Sequence, residues 1–116
     1  MSTAKAFIRF QKIESTLRKA IVESLVELGI DGCIVTRIDI SKDIRNAKVY
    51  YIIDASEDRN HVTARIKTSR GSIAREVSKK FHTRIFPKIS FLVDTGAEAS
   101  ARINALLDAL PEPRQD

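Results

Sequence analysis

Phe10, Ile13, Leu17, Ile21, Leu25 and Leu28 recur at steps of three and four residues. That spacing predicts an amphipathic helix over residues 5–28 with one apolar stripe. Gly29 follows as its C-terminal cap. The period then changes. Ile34, Thr36, Ile38 and Ile40 alternate with Val35, Arg37 and Asp39, which predicts a strand over residues 33–41 with the first set on the core. A polar turn at Lys42-Asp43-Ile44-Arg45-Asn46 leads into Lys48–Asp54, where Val49, Tyr51 and Ile53 share a face. The two strands are expected to form an antiparallel hairpin with a turn longer than the tight two-residue kind.

Residues 55–59 are polar, and Asp58 or Asn60 suits a helix N-cap. Val62, Ile66, Ile73, Val77 and Phe81 mark the next apolar stripe, with Gly71 inside it. An interior glycine costs about 1 kcal/mol relative to alanine, so two helices, 59–69 and 72–82, are expected, joined by a kink at Ser69-Arg70-Gly71. Pro87 ends that unit. Ile89, Phe91 and Val93 form a third short strand, joined to the second by a helical crossover long enough for parallel pairing. Thr95-Gly96-Ala97-Glu98 has the form of a capping box. Ala99, Ile103, Leu106 and Leu110 supply the packing face of a last helix. The expected order is helix, strand, strand, helix–kink–helix, strand, helix: an α+β domain with a three-stranded mixed sheet and helices on one face.

With 116 residues, one domain spanning 1–116 is expected, with an ordered core over about 5–110 and a loose tail at 111–116. The 43% apolar and 30% charged content is that of a globular chain. One cysteine excludes an internal disulfide and fits a reducing, cytoplasmic setting. No apolar run approaches the roughly 18 residues of a membrane span, so no membrane partner is expected. The basic amphipathic start resembles a mitochondrial presequence, but its acidic residues argue against one.

Charge changes the picture more than composition does. The net charge is +5, yet residues 59–90 alone hold nine basic side chains and one acid, Glu76. Such a concentration suggests a polyanion-binding face. On a helical wheel Arg65, Arg70, Arg75, Lys79, Lys80 and Arg84 fall away from the apolar stripe. A helix starting after Gly71 would offer free N–H groups and a positive dipole end to a phosphate. Gly29-Ile30-Asp31-Gly32 spells the G-x-x-G clamp of K-homology domains, but no helix starts after it and Asp31 would repel a phosphate; a helix-ending turn is the expected role. His61 and His82 have no ligand partners at metal spacing. Cys33 is expected to be a buried, inert thiol. No P-loop, G-x-S-x-G or H-E-x-x-H is present. Tyr50 and Tyr51 face opposite sides of their strand, leaving one to be buried and one able to stack on a base. No enzyme activity, metal or cofactor is expected.

The chain resembles the ribosome-binding factor A family from about residue 8 to residue 107. The likeness rests on Ile-Asp-Ile-Ser-Lys-Asp-Ile-Arg-Asn-Ala-Lys-Val-Tyr at 38–50, Gly71 with Ile73, Arg84-Ile-Phe-Pro87, Phe91, Asp94, and Arg102-Ile103 with Leu106-Leu107. The resemblance implies a type II K-homology-like fold in which an Ala-x-Gly kink replaces the G-x-x-G clamp. It implies a non-enzymatic, cytoplasmic assembly factor that binds the immature small ribosomal subunit and its ribosomal RNA late in maturation. It also implies support of RNA processing and cold adaptation, and release by a maturation GTPase. Ser69 stands where the family usually has Ala, Ala74 where it often has Arg, and Gly96 where it usually has Ser.

The residues expected to bind RNA are Arg65, Lys67, Arg70, Gly71, Arg75, Lys79, Lys80 and Arg84, with Arg45 and Lys48 on the hairpin side. The chain is expected to act as a monomer. The alternative from another class is a protein–protein interaction module that docks through the first helix or the hairpin edge, its basic face incidental.

Overall fold

The computed structural model describes residues 3–81 and 86–110, with side chains from residue 11 onward. The elements are α1 (Thr3–Glu27), β1 (Cys33–Ile40), β2 (Asn46–Ile53), α2 (Arg59–Lys80), β3 (Lys88–Val93) and α3 (Thr95–Ala109). The sheet runs β1-β2-β3, with β1 antiparallel to β2 and β2 parallel to β3. This is the expected α+β arrangement of helices with a three-stranded mixed sheet, but with three helices where four were expected.

The α1 stripe behaves as its spacing predicts: Leu17, Ile21 and Leu25 are buried. Gly29, at φ +68°, ends the helix. The Gly29 N–H donates to Val26 O and the Ile30 N–H to Leu25 O, a Schellman turn with Ile30 and Leu25 both buried. Gly32 also has a left-handed backbone, φ +85°, so the G-x-x-G string is a helix-ending turn and no clamp.

In β1 the alternation shifts. A bulge lies between Val35 and Arg37 in the pairing with β2. The extra residue changes which parity faces inward. Cys33 and Val35 therefore join Ile38 and Ile40 against the core, while Ile34 is left exposed. The expected face of Ile34, Thr36, Ile38 and Ile40 is thus split at Thr36. In β2, Ala47, Val49 and Tyr51 are buried as one face, with Ile53 packed beside them. Burial pushes the Tyr51 hydroxyl above its usual range and the Cys33 thiol up to about 11, which keeps Cys33 protonated at neutral pH, although the residue is half-buried rather than buried as expected.

The expected pair of helices is one helix. It is continuous from Arg59 to Lys80 and runs through Ser69-Arg70-Gly71, and Gly71 has no left-handed φ. Val62, Ile66, Ile73 and Val77 are all at 2% exposure or less, at steps of four, seven and four that keep one side of an unbroken helix. Burial of two such side chains beyond the glycine, each worth about 1.5–3 kcal/mol, exceeds the glycine's propensity cost. Asp58 caps the start, accepting from the Asn60 and His61 N–H groups.

The last helix departs further. Asp94, not Thr95, is its N-cap and accepts from the Ala97 N–H at 3.0 Å. Glu98 does not close a capping box; it pairs with Arg59 and Arg102. The Asp94 carboxylate also accepts from the Thr36 hydroxyl at 2.6 Å. That bond first, then the Ala97 N–H and the nearby Arg37 charge, holds it below the usual carboxylate range. The expected packing face is exposed: Ile103 at 56%, Leu106 at 68% and Leu110 at 62%. Ala101 and Ala105 line the cavity against Ile34, Ile52, Ile53 and Val93 instead. Ala101 and Ala105 are themselves exposed and no residue of this helix is buried, so α3 lies over an open groove; its start is tied down by the Asp94 cap and the Arg59–Glu98 pair.

Candidate nucleic-acid interface

Helical geometry divides the cations of α2 into two groups. Arg65 and Lys80 lie on the side of α1. The Arg65 guanidinium donates to Gly29 O at 2.6 Å and Leu28 O at 3.2 Å. It thus satisfies carbonyls at the negative end of α1. Lys80 donates to Glu27 at 2.8 Å and lies 3.7 Å from Glu23. The bond to Glu27 raises the Lys80 pKa, with both glutamate charges adding to it. Lys79 pairs with Glu76 at 3.1 Å, an exposed contact that leaves the lysine side chain 63% accessible. These three side chains are partly spoken for by the fold.

Lys67, Arg70, Gly71, Ala74 and Arg75 lie on the other side. Arg70 and Arg75 are exposed, and among the described residues neither joins an ion pair. Here the fold brings distant segments together. Arg70, Gly71 and Ala74 of α2, Arg45 of the hairpin turn, and Phe86, Pro87, Lys88 and Ile89 line an open cleft of about 430 Å³. Three cations and no acid line it. A Cβ built on Gly71 meets nothing within 4 Å, so the glycine leaves the helix backbone open to the cleft. Phe86 packs edge-on against Phe81 at 5.9 Å between ring centroids, which makes that wall firm and apolar.

Of the expected RNA-binding residues, the cleft gathers Arg45, Arg70 and Gly71. Lys67 and Arg75 flank it on α2, and Lys48 points from β2 at an exposed position paired with Asp39. Arg84 and His82 lie outside the described residues. The free N–H groups expected after Gly71 do not occur, because the helix continues through that point. Lys88 is the residue the sequence reading missed. Its place in the 59–90 charge excess was visible, but only the parallel pairing of Asn46 with Lys88 sets it beside Arg45. Tyr50, the tyrosine left available for stacking, is covered by the Arg37 guanidinium at 4.0 Å from the ring centroid.

Among the described residues no group of three or more His, Cys, Asp or Glu is placed to hold a metal. No described helix is long and apolar enough to cross a membrane.

A small α+β sheet of this order, with a long helix and a hairpin turn bounding a cationic cleft, defines a type II K-homology-like domain. The family model described as Ribosome-binding factor A matches residues 9–107, and the chain belongs to that family. A Caldicellulosiruptor bescii ribosome-binding factor A is 33% identical over 84 residues, which is 71% of this chain and 64% of that relative. The solution structure of a Thermotoga maritima relative superposes with a TM-score of 0.61 at 26% identity, over 74% of this chain and 87% of the other. The crystal structure of ribosome-binding factor A from Thermus thermophilus gives a TM-score of 0.61 at 17% identity, over 72% and 93%, a likeness of fold.

Proposed function

We propose that the protein is a non-enzymatic ribosome assembly factor that binds the immature small ribosomal subunit through its ribosomal RNA. Family membership supports the ribosomal role. The observation that carries the RNA contact is the acid-free cleft of Arg45, Arg70 and Lys88 beside an open glycine. Cations at this density suit the sugar–phosphate backbone, and such contacts position a protein without reading sequence. Specificity then comes from the shape of the folded RNA. The mechanism is occupancy. A protein that binds two RNA conformations unequally shifts the population toward the one it prefers, and no bond need break.

Co-sedimentation with purified small subunits tests this reading. Association is expected, and nuclease digestion of the RNA is expected to abolish it. Association that survives digestion contradicts the reading and favours a protein partner. Gly71 supplies a sharper arm. Gly71→Ala places a methyl group in open space within a helix, so thermal stability should rise by about 0.5–1 kcal/mol. Subunit affinity should fall, because the methyl group stands where the RNA backbone approaches the helix. Scanning calorimetry and a binding titration on the same sample check both signs.

A further inference from the structure

The turn between β1 and β2 is more heavily built than a hairpin connection requires. Ile44 has φ 61°, a left-handed backbone that hairpin turns normally give to Gly or Asn. A β-branched residue holds such a conformation only where its surroundings over-determine it. They do so here. The Ser41 hydroxyl donates to Asp43 Oδ1 at 2.6 Å and the Arg45 N–H donates to the same oxygen at 3.1 Å. The Asn46 N–H donates to Ser41 Oγ at 3.0 Å. The Ile44 N–H donates to Ser41 O, and the Ser41 N–H to Asn46 O, each at 2.9 Å.

The product of this network is a fixed Arg45 backbone. Its N–H is held by Asp43, and its carbonyl accepts from the Lys88 N–H at 2.8 Å. Both peptide groups are thus committed, and the residue lines the cleft together with Arg70. Asp43 itself does not line the cleft. Its carboxyl is held below the usual range by the Ser41 hydroxyl first and the Arg45 N–H second, so it remains an ionised acceptor at neutral pH. From this geometry we infer that Asp43, with Ser41 and the left-handed Ile44, is a positioning residue for RNA binding: it locks the backbone that aims Arg45 into the cleft. The inference rests on the RNA-binding reading above and adds to it a residue whose charge opposes the ligand.

That opposition gives the test a sign. Removing an acid beside a cationic cleft should, on charge alone, tighten RNA binding. Loss of a pre-oriented arginine should weaken it by about threefold to tenfold. Affinity for purified small subunits is measured for the wild type, Asp43→Ala, Arg45→Gln and the double variant, each at a temperature where its circular dichroism shows it fully folded. Asp43→Ala is expected to bind about threefold to tenfold more weakly. In the Arg45→Gln background the same change is expected to cost nothing further, a coupling that a merely structural turn would not show. Should Asp43→Ala not fold, Ser41→Ala removes the central hydroxyl with no change of charge and is expected to weaken binding in the same coupled way. An Asp43→Ala protein that binds as tightly as wild type or tighter, or losses that simply add in the double variant, overturns the inference. Failure of the wild type itself to bind would instead overturn the RNA reading.

Discussion

Reversing two charges, Arg70→Glu with Lys88→Glu, is expected to lower affinity for the small subunit by about a hundredfold or more. Each hydrogen bond to a charged group is worth about 1.5–3 kcal/mol, so loss of two phosphate contacts gives 3–6 kcal/mol, about two to four decades. The reversed charges add repulsion to that loss. The fold should not register the change. Both side chains are exposed, and neither makes an ion pair among the described residues. Surface substitutions of this kind usually stay within about 0.5 kcal/mol. Binding and thermal melting of one sample therefore separate the outcomes. Weakened binding with an unchanged melting temperature is expected. The same loss in Arg65→Glu would be less informative, because Arg65 also holds the end of α1.

The second large effect is on stability. Ile73 is fully buried two residues after Gly71, on the stripe it shares with Ile66 and Val77. Ile73→Ala removes buried apolar groups and leaves a cavity, at a cost of about 2–5 kcal/mol. Against a total of about 5–15 kcal/mol, that is a large fraction. With a urea slope of about 1–2 kcal/mol/M, the unfolding midpoint should fall by roughly 2 M. The contrast with Gly71→Ala is the point of the experiment. Two neighbouring positions in one helix should shift stability in opposite directions, because one side chain is buried and the other would meet open space. A small effect at Ile73 would mean that the far half of α2 is not held by the stripe.

The order of elements and the parallel placement of β3 were legible because each element carries its own period and its own stop signal. Gly29 marks one of those stops and Asp58 marks a start, whereas α2 ends at Lys80, well before Pro87, which directly precedes β3. The departures share a physical origin in long-range terms. Nothing local signals the bulge at Thr36, which depends on β2 and is accompanied by the bond from Thr36 to Asp94. The propensity of Gly71 argued for a break, but the burial of Ile73 and Val77 outweighs it. The leucine stripe of α3 promised a packing face, yet the stripe is exposed, no residue of the helix is buried, and Ala101 and Ala105 only line an open groove beside the sheet.

The site was half legible for a similar reason. The charge excess in residues 59–90 pointed to α2, but could not say which cations the fold would use itself. Arg65 and Lys80 turn toward α1, while Arg70 meets Arg45 and Lys88 from segments far apart in the chain. The expectation of a broken helix gave Gly71 a role in exposing N–H groups. The continuous helix gives it another, an uncovered stretch of backbone at the floor of a cationic cleft.

Salt dependence of small-subunit binding probes the central idea most directly. If Arg45, Lys67, Arg70, Arg75 and Lys88 each displace a counterion from a phosphate, affinity should fall by about one hundred to five hundredfold between 50 and 200 mM salt, with a log–log slope of roughly −3.5 to −4.5. A slope near zero, with binding intact at 200 mM, would mean that the cationic cleft does not hold the RNA backbone.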